Sequence, residues 1–197
     1  MIAIVRYNAG NVRSVYNALV RLGTEPVVTN DPDLLRNADH VLFPGVGHAA
    51  SAMQSLRETG LHRVLPQLTQ PFLGICLGMQ LLCRNIEEGE VQGLGVFPTD
   101  VRRFPTEGRV PHMGWNDFSY LKSQLFRGLS SESNMYFVHS YYADVVAETT
   151  ATTEYQVPFS AALHVKNFYG VQFHPEKSGR AGLKVLENFL NIQGGSQ

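Results

Sequence analysis

The sequence predicts an α/β fold: a mixed, largely parallel central sheet flanked by helices, with additional antiparallel strands in the second half of the chain. Three observations carry this. Up to about residue 90, short apolar runs alternate with segments of helical period, the rhythm of parallel strands joined by crossover helices. Beyond residue 90, apolar runs follow one another through short connections, as antiparallel strands do. The composition is globular, with 44% hydrophobic and 17% charged residues in 197. A chain of that length buries roughly 70% of its unfolded surface and needs no staples.

Each element has its own signal. Ile2 to Arg6 is a short apolar run, as a buried parallel strand is. Tyr7-Asn8-Ala9-Gly10 is a turn, and Asn11 is placed to N-cap a helix bearing Val12, Val15, Leu19 and Leu22, with Gly23 as its stop. Pro26 to Thr29 reads as a strand, and Asp31-Pro32 opens a short helix, because Asp caps and Pro suits the first turn. Val41 to Phe43 is a third strand, ending at Pro44-Gly45-Val46-Gly47, with a helix from about Ala49 to Glu58 after it. Phe72 to Ile75 is a fourth strand, and Leu77 to Arg84 a helix. Strands are then expected at Val101–Phe104, Met113–Phe118, Met135–His139, Ala147–Tyr155, Ala161–Val165 and Gly170–His174. A last helix from about Arg180 to Asn191 turns Leu183, Leu186, Phe189 and Leu190 inward, and Gly194-Gly195-Ser196 is expected to fray.

Charge and cysteine content exclude several functions. Sixteen basic residues against seventeen acidic give a net charge of −1, without the basic excess of a nucleic-acid binder. No apolar run approaches the ~18 residues of a membrane span. The N-terminus lacks a basic signal region and runs straight into a strand, so a cytoplasmic location is expected. Cys76 and Cys83 on one helix would stand roughly 10.5 Å apart along the axis, beyond the ~7 Å that a disulfide tolerates between Cα atoms. Neither a C-x-x-C pair nor a zinc cluster is present, and no metal or cofactor is expected.

The sharpest local feature is Gly74-Ile75-Cys76-Leu77-Gly78-Met79-Gln80. A strand enters it and a helix leaves it. A nucleophile at such a turn has a cramped backbone, and glycines two residues to either side relieve the crowding. The helix N-terminus favours thiolate, and the Leu77 N–H points toward an oxyanion formed on attack. Cys83 lacks this setting and reads as a packing residue.

A cysteine nucleophile needs an imidazole to take and return its proton. Of seven histidines, His40, His48, His62 and His164 lie in unremarkable surroundings. His174 differs: Gly170 to Phe173 is an apolar strand ending in His174-Pro175-Glu176, and parallel strands deliver functional residues at their carboxyl ends. In extended chain, residues two apart share a side, which sets Glu176 beside the imidazole. Cys76, His174 and Glu176 form a candidate triad; a helix-capping Glu is the alternative for Glu176.

At these residues the chain resembles the class I, triad-type glutamine amidotransferases, and within them the glutaminase subunits of imidazole glycerol phosphate synthase. Further segments carry the narrower resemblance: Pro44 to Gly47 with Met53 downstream, Glu87-Glu88-Gly89 followed by Gly93-Leu94-Gly95, Pro111-His112-Met113-Gly114-Trp115-Asn116, Tyr136 to Tyr141, and the Glu-Lys-Ser after His174-Pro175. It runs end to end and implies one flavodoxin-like, type-1 amidotransferase domain over residues 1–197. It implies that Cys76 attacks the side-chain amide of L-glutamine, releasing ammonia and leaving a γ-glutamyl thioester that water hydrolyses to glutamate. His174 is then base and acid, with Glu176 its orienter. By the same resemblance Gln80 touches the glutamine, Ser140 and Tyr141 contribute through their backbone, and Val46 and Gly47 form an oxyanion strand.

The resemblance further implies a heterodimer with a (β/α)8-barrel cyclase. The cyclase would use the ammonia to make imidazole glycerol phosphate and an aminoimidazole carboxamide ribotide in histidine biosynthesis. His112, Trp115 and Asn116 are then expected on a partner-facing patch near the ammonia exit, although a lone Trp on a strand is as readily core. His139 has two readings, lining the glutamine pocket or capping a strand. The competing functions are the glutaminase of another amidotransferase such as pyridoxal phosphate synthase, a regulatory protein that keeps the fold without the chemistry, and a thiol peptidase.

Overall fold

A computed structural model describes residues 1–8 and 10–194. Ala9 of the expected turn and Gly195-Ser196 of the expected frayed tail lie outside the described residues. The first half alternates as anticipated. β1 (Ile2–Val5) leads to α1 (Val12–Arg21), β2 (Val27–Thr29) to α2 (Pro32–Arg36), and β3 (His40–Gly45) to α3 (Ala49–Glu58) and a one-turn α4 (Leu61–Val64). β4 (Phe72–Cys76) runs directly into α5 (Leu77–Leu81). Then come the short strands β5 (Asn85–Ile86), β6 (Val91–Gln92) and β7 (Val101–Arg103), followed by β8 (His112–Asn116), β9 (Tyr120–Leu121), β10 (Met135–His139) and β11 (Tyr141–Ala143). The long hairpin β12 (Thr149–Tyr155) and β13 (Val157–Val165), β14 (Phe168–Val171) and α6 (Gly179–Leu190) complete the chain.

The central sheet has the spatial order β2-β1-β3-β4-β14-β13-β12-β9. Its pairings are parallel from β2 through to β14 and antiparallel from β14 outward. β14 is therefore the seam between the two halves, beside the strand that carries Cys76. A four-stranded sheet, β11-β7-β5-β6, and the β8–β10 pair lie outside the central sheet.

Strand alternation divides the core. Ala3, Val5, Val41, Phe43 and Phe72 meet Leu35, Met53, Leu56 and Leu61 of α2, α3 and α4. Their neighbours Ile4, Leu42, Leu73 and Ile75 meet Val15 and Leu19 of α1 and Val185, Leu186 and Phe189 of α6. Successive side chains point to opposite faces, so these strands are apolar throughout and helices cover both faces.

Several boundaries differ from the sequence expectation. The segment expected at Gly170–His174 stops pairing at Val171, and Pro175–Lys177 is a turn of 3-10 helix rather than extended chain. The helix after Cys76 ends at Leu81 rather than Arg84. β13 starts four residues earlier than expected, at Val157, because its hairpin with β12 adds ladder bonds that single-strand patterning does not reveal. In α6 the fully buried apolar side chains include Val185, Leu186 and Phe189, while Leu183 and Leu190 are half-buried. Asp31 caps α2 as expected, accepting from Asp33 N–H at 2.8 Å. Asn11 does not cap α1 with its side chain: it has a left-handed φ of 84° and its amide reaches elsewhere.

Candidate active site

Three adjacent parallel strands, β3, β4 and β14, assemble the site at their carboxyl ends. Cys76 is the last residue of β4 and lies opposite Gly45 of β3. Its backbone sits at φ 53°, ψ −113°, a region that side-chain-bearing residues avoid and that costs about 1–3 kcal/mol. The two glycines of the motif are sterically required. A Cβ on Gly78 would collide with the carbonyl oxygen of Phe43, and one on Gly74 would come within 2.9 Å of the Gly78 oxygen and the Met79 nitrogen.

His174 is buried, and its Nδ1 lies 2.8 Å from Oε1 of Glu176. A carboxylate oxygen accepts, so Nδ1 carries the proton and a neutral ring keeps its Nε2 lone pair. Nε2 is buried with no hydrogen-bond partner among the described residues. Burial opposes the imidazolium, but the Cys76 sulfur and the Glu176 carboxylate outweigh it and raise the His174 pKa to about 10. The ring thus favours a proton whenever the sulfur is a thiolate. Glu176 reaches His174 across the 3-10 turn at Pro175, not along an extended strand, and it caps no helix.

A cavity of about 300 Å3 opens over the sulfur, lined by Val46, Gly47, Cys76, Leu77, Gln80, Glu88, Pro111, Val138, His139, Ser140 and Tyr141. Every residue expected at the ligand or the oxyanion is in that wall. Leu77 is the first residue of α5, Val46 is half-buried, and Gly47 is exposed with φ 108°. The polar groups are selective. Gln80 Nε2 donates to the Tyr141 carbonyl and to Gln172 Oε1, each at 2.9 Å, which leaves Gln80 only its oxygen to offer. The Tyr141 carbonyl also accepts from His139 Nδ1 at 2.7 Å, so both its lone pairs are engaged. A ligand therefore meets the Tyr141 backbone through N–H, not C=O.

Two contributors escaped sequence reasoning. Glu88 brings the carboxylate of the wall; one oxygen accepts from Ala49 N–H at 2.8 Å, which orients the group. It was visible only as part of a Glu-Glu-Gly segment. Gln172 is fully buried and directs Nε2 toward Cys76 Sγ at 3.7 Å. Its signal was present: a lone amide inside Gly-Val-Gln-Phe-His, two residues before the base.

The expected outer patch divides by strand alternation. Trp115 is 57% exposed and Met113 62%, side by side on one face of β8. His112 does not face outward, which corrects its place on that patch: it is 3% exposed, stacked on Tyr155 at 4.1 Å and on Phe137 at 4.9 Å. Asn116 is half-buried with its amide directed at His112 and the Glu154 carbonyl. His139 lines the cavity, and only 6% of it is exposed.

The remaining histidines have structural partners. His48 N-caps α3, His40 and His62 bond backbone carbonyls, and His164 bonds the Lys166 carbonyl while stacking on Tyr169. Cys83 is buried, free and within 3.5 Å of the Met79 carbonyl, and burial pushes its thiol pKa far up, consistent with packing. Among the described residues no cluster of three metal-ligating side chains occurs, and no helix is long and apolar enough to cross a membrane.

Known proteins resemble the chain along nearly its whole length. The sequence profile of the family described as glutamine amidotransferase class-I matches residues 4–192. The HisH subunit of imidazole glycerol phosphate synthase from Bacteroides fragilis is 56% identical over 194 residues, covering 97% of this chain and 99% of that one. The HisH subunit from Methanothermobacter thermautotrophicus is 46% identical, covering 98% of each. Among solved structures, one described as a glutamine amidotransferase superimposes with a TM-score of 0.76 at 21% identity, over 96% of each chain. The PurLQS structure from Thermotoga maritima gives 0.67 at 17% identity, over 96% of this chain and 97% of that one; at such identities the likeness is one of fold. With its full-length match to both the profile and the HisH relatives, the chain belongs to the class-I glutamine amidotransferase family, in the branch of the HisH subunits of imidazole glycerol phosphate synthase.

Proposed function

We propose that this chain, one type-1 amidotransferase domain over residues 1–197, is the glutaminase subunit of an imidazole glycerol phosphate synthase. It hydrolyses L-glutamine and delivers the ammonia to a (β/α)8-barrel cyclase in a heterodimer acting in histidine biosynthesis. One observation carries the reading. Cys76 stands at a strained strand-to-helix turn beside a His174 whose Nδ1 is held by Glu176, at the floor of a cavity that is amino-acid sized.

The roles follow from the atoms. Sγ attacks the side-chain carbonyl carbon of glutamine as a thiolate, and the C=O electron pair moves onto oxygen. The Leu77 N–H and the Val46–Gly47 backbone supply donors for that oxyanion. His174, protonated, gives its proton from Nε2 to the leaving nitrogen, the C–N bond breaks, and ammonia departs. A water then attacks the thioester, His174 takes the water's proton, and glutamate leaves as the thiolate returns. Glu88 suits the α-ammonium of the substrate, and the Gln80 oxygen accepts a further N–H. The cavity matches a single amino acid in size, which favours free glutamine over a peptide chain.

The test mixes the protein with the barrel cyclase and its nucleotide substrate, and measures glutamate release and cyclised product. Cys76→Ala is expected to abolish the glutamine-dependent reaction while ammonium salt still supports product. Loss of both reactions, or vigorous glutamine hydrolysis by the chain alone, overturns the assignment.

A further inference from the structure

A buried imidazole pair that the reaction does not use starts at His139 in the cavity wall and runs back to His112. His139 Nδ1 is 2.7 Å from the Tyr141 carbonyl, His139 Nε2 is 3.0 Å from His112 Nδ1, and His112 Nε2 is 3.3 Å from Asn116 Nδ2. The direction of this chain is fixed at both ends by backbone groups. A carbonyl can only accept, so His139 donates from Nδ1 and accepts at Nε2. At the other end Asn116 Oδ1 accepts from Asp117 N–H at 3.0 Å and Nδ2 donates to the Glu154 carbonyl at 3.1 Å. The amide can therefore present only N–H to His112, and His112 must donate from Nδ1. Burial holds the pKa values down to about 3 for His139 and about 4 for His112, so both rings are neutral and a single tautomer of each satisfies every link.

The inner end continues toward the nucleophile. The Tyr141 carbonyl that His139 holds is the one that Gln80 holds, and Gln80 in turn holds Gln172, which faces Sγ. The outer end is the last residue of β8, on whose exposed face Met113 and Trp115 stand. We propose that His139 and His112 are positioning residues of the glutamine pocket. In this proposal the one-way chain Asn116→His112→His139 locks the Tyr141 carbonyl and with it the Gln80–Gln172 amide pair, so the placement of β8 sets how tightly the pocket holds glutamine. The proposal rests on the reading of this cavity as a glutamine site.

The probe is the diazoketone analogue of glutamine, which alkylates Cys76 only after seating in the pocket; iodoacetamide reports access to the sulfur without seating. His139→Phe removes both nitrogens and suits the aromatic surroundings of Phe104, Phe137 and Phe159. It is expected to raise the half-saturating concentration about tenfold, the loss of one buried hydrogen bond, with a smaller change in the limiting rate and none with iodoacetamide. His139→Asn, whose Nδ2 stands where Nδ1 did, is expected to recover most of that loss. His112→Phe, which stacks equally well on Tyr155, is expected to raise half-saturation by a smaller factor and serves if His139→Phe does not fold. Wild-type half-saturation in both Phe variants, or equal impairment of His139→Phe and His139→Asn, overturns the proposal. Alkylation of the wild type without saturation would instead remove the glutamine reading itself.

Discussion

Asn11 donates its side-chain amide to Oε1 of Glu176, 165 positions away, instead of capping its own helix. That oxygen also receives the His174 Nδ1–H, while Oε2 has no partner among the described residues. The carboxylate is thus fixed by two donors on one oxygen, and the residue before α1 becomes part of the support of the candidate triad. Asn11→Gly is the clean test, because Gly keeps the left-handed backbone at no cost. We expect kcat for glutamine to fall about tenfold, as loss of one charge-assisted hydrogen bond does, with KM little changed. An unaltered kcat would show that Asn11 is not needed to hold Glu176.

Two glycines near the sulfur predict opposite phenotypes. A methyl at Gly78 meets the Phe43 carbonyl oxygen, whereas a methyl at Gly47 meets nothing within 4 Å among the described residues. Gly78→Ala should cost about 3 kcal/mol or more and appear as a collapse in melting temperature or solubility. Gly47→Ala should fold with a penalty of about 1 kcal/mol for its positive φ, yet lose most glutamine turnover when the partner is present. The loss follows if the Val46–Gly47 backbone must reorient to complete the oxyanion hole. Wild-type turnover of Gly47→Ala in the complex would remove that role.

The His174 pKa gives a pH signature. In the native protein the ring is held protonated to about pH 10, against an ordinary value near 6.5. A raised native pKa stabilises fully below the unfolded value, and the contribution is lost as pH rises through the native one. The window is therefore about pH 6.5 to 10. Removing the sulfur with Cys76→Ala takes away the larger raising influence and leaves only Glu176 against burial, so the value falls. Imidazole NMR should show His174 protonated at about pH 8 in the wild type and titrating at a lower pH in Cys76→Ala. The melting temperature should decline more steeply from about pH 7 to about pH 9.5 in the wild type than in the variant. Identical titrations would contradict the coupling.

Trp115 and Met113 form an exposed apolar pair on β8. A large aromatic anchor of that kind commonly dominates an interface, at about 2 kcal/mol or more. Trp115→Ala should leave the melting temperature of the isolated chain within about 2 °C, since the ring supports little core, and weaken association with the cyclase about thirtyfold. A folded variant that binds the cyclase normally would move the docking surface elsewhere.

The chemistry was legible where it is local. Gly74-Ile75-Cys76-Leu77-Gly78 encodes a strand-to-helix turn because each glycine answers a short-range collision, and His174-Pro175-Glu176 keeps base and orienter within one turn. The alternation of apolar strands and amphipathic helices up to residue 90 likewise predicted the parallel half of the sheet, since period and burial are properties of neighbouring residues. Strand ends were less legible: β14 stops at Val171 and β13 begins at Val157 because a ladder's length depends on its partner strand.

What only the tertiary structure decided are the contacts between distant segments. Nothing in the local pattern distinguishes Asn11 as a cap from Asn11 as a support for Glu176, or His112 on the surface from His112 stacked between Tyr155 and Phe137. Glu88 and Gln172 join the site only because α3 and β4 bring their backbones and sulfur to them. The sequence by itself determined the fold class and singled out the candidate nucleophile and base, since steric and periodic constraints act over a few residues. The sheet order β3-β4-β14 decided which other polar groups share the pocket, because a buried hydrogen bond is specified by whichever donor and acceptor packing brings within about 3 Å, however far apart they lie in the chain.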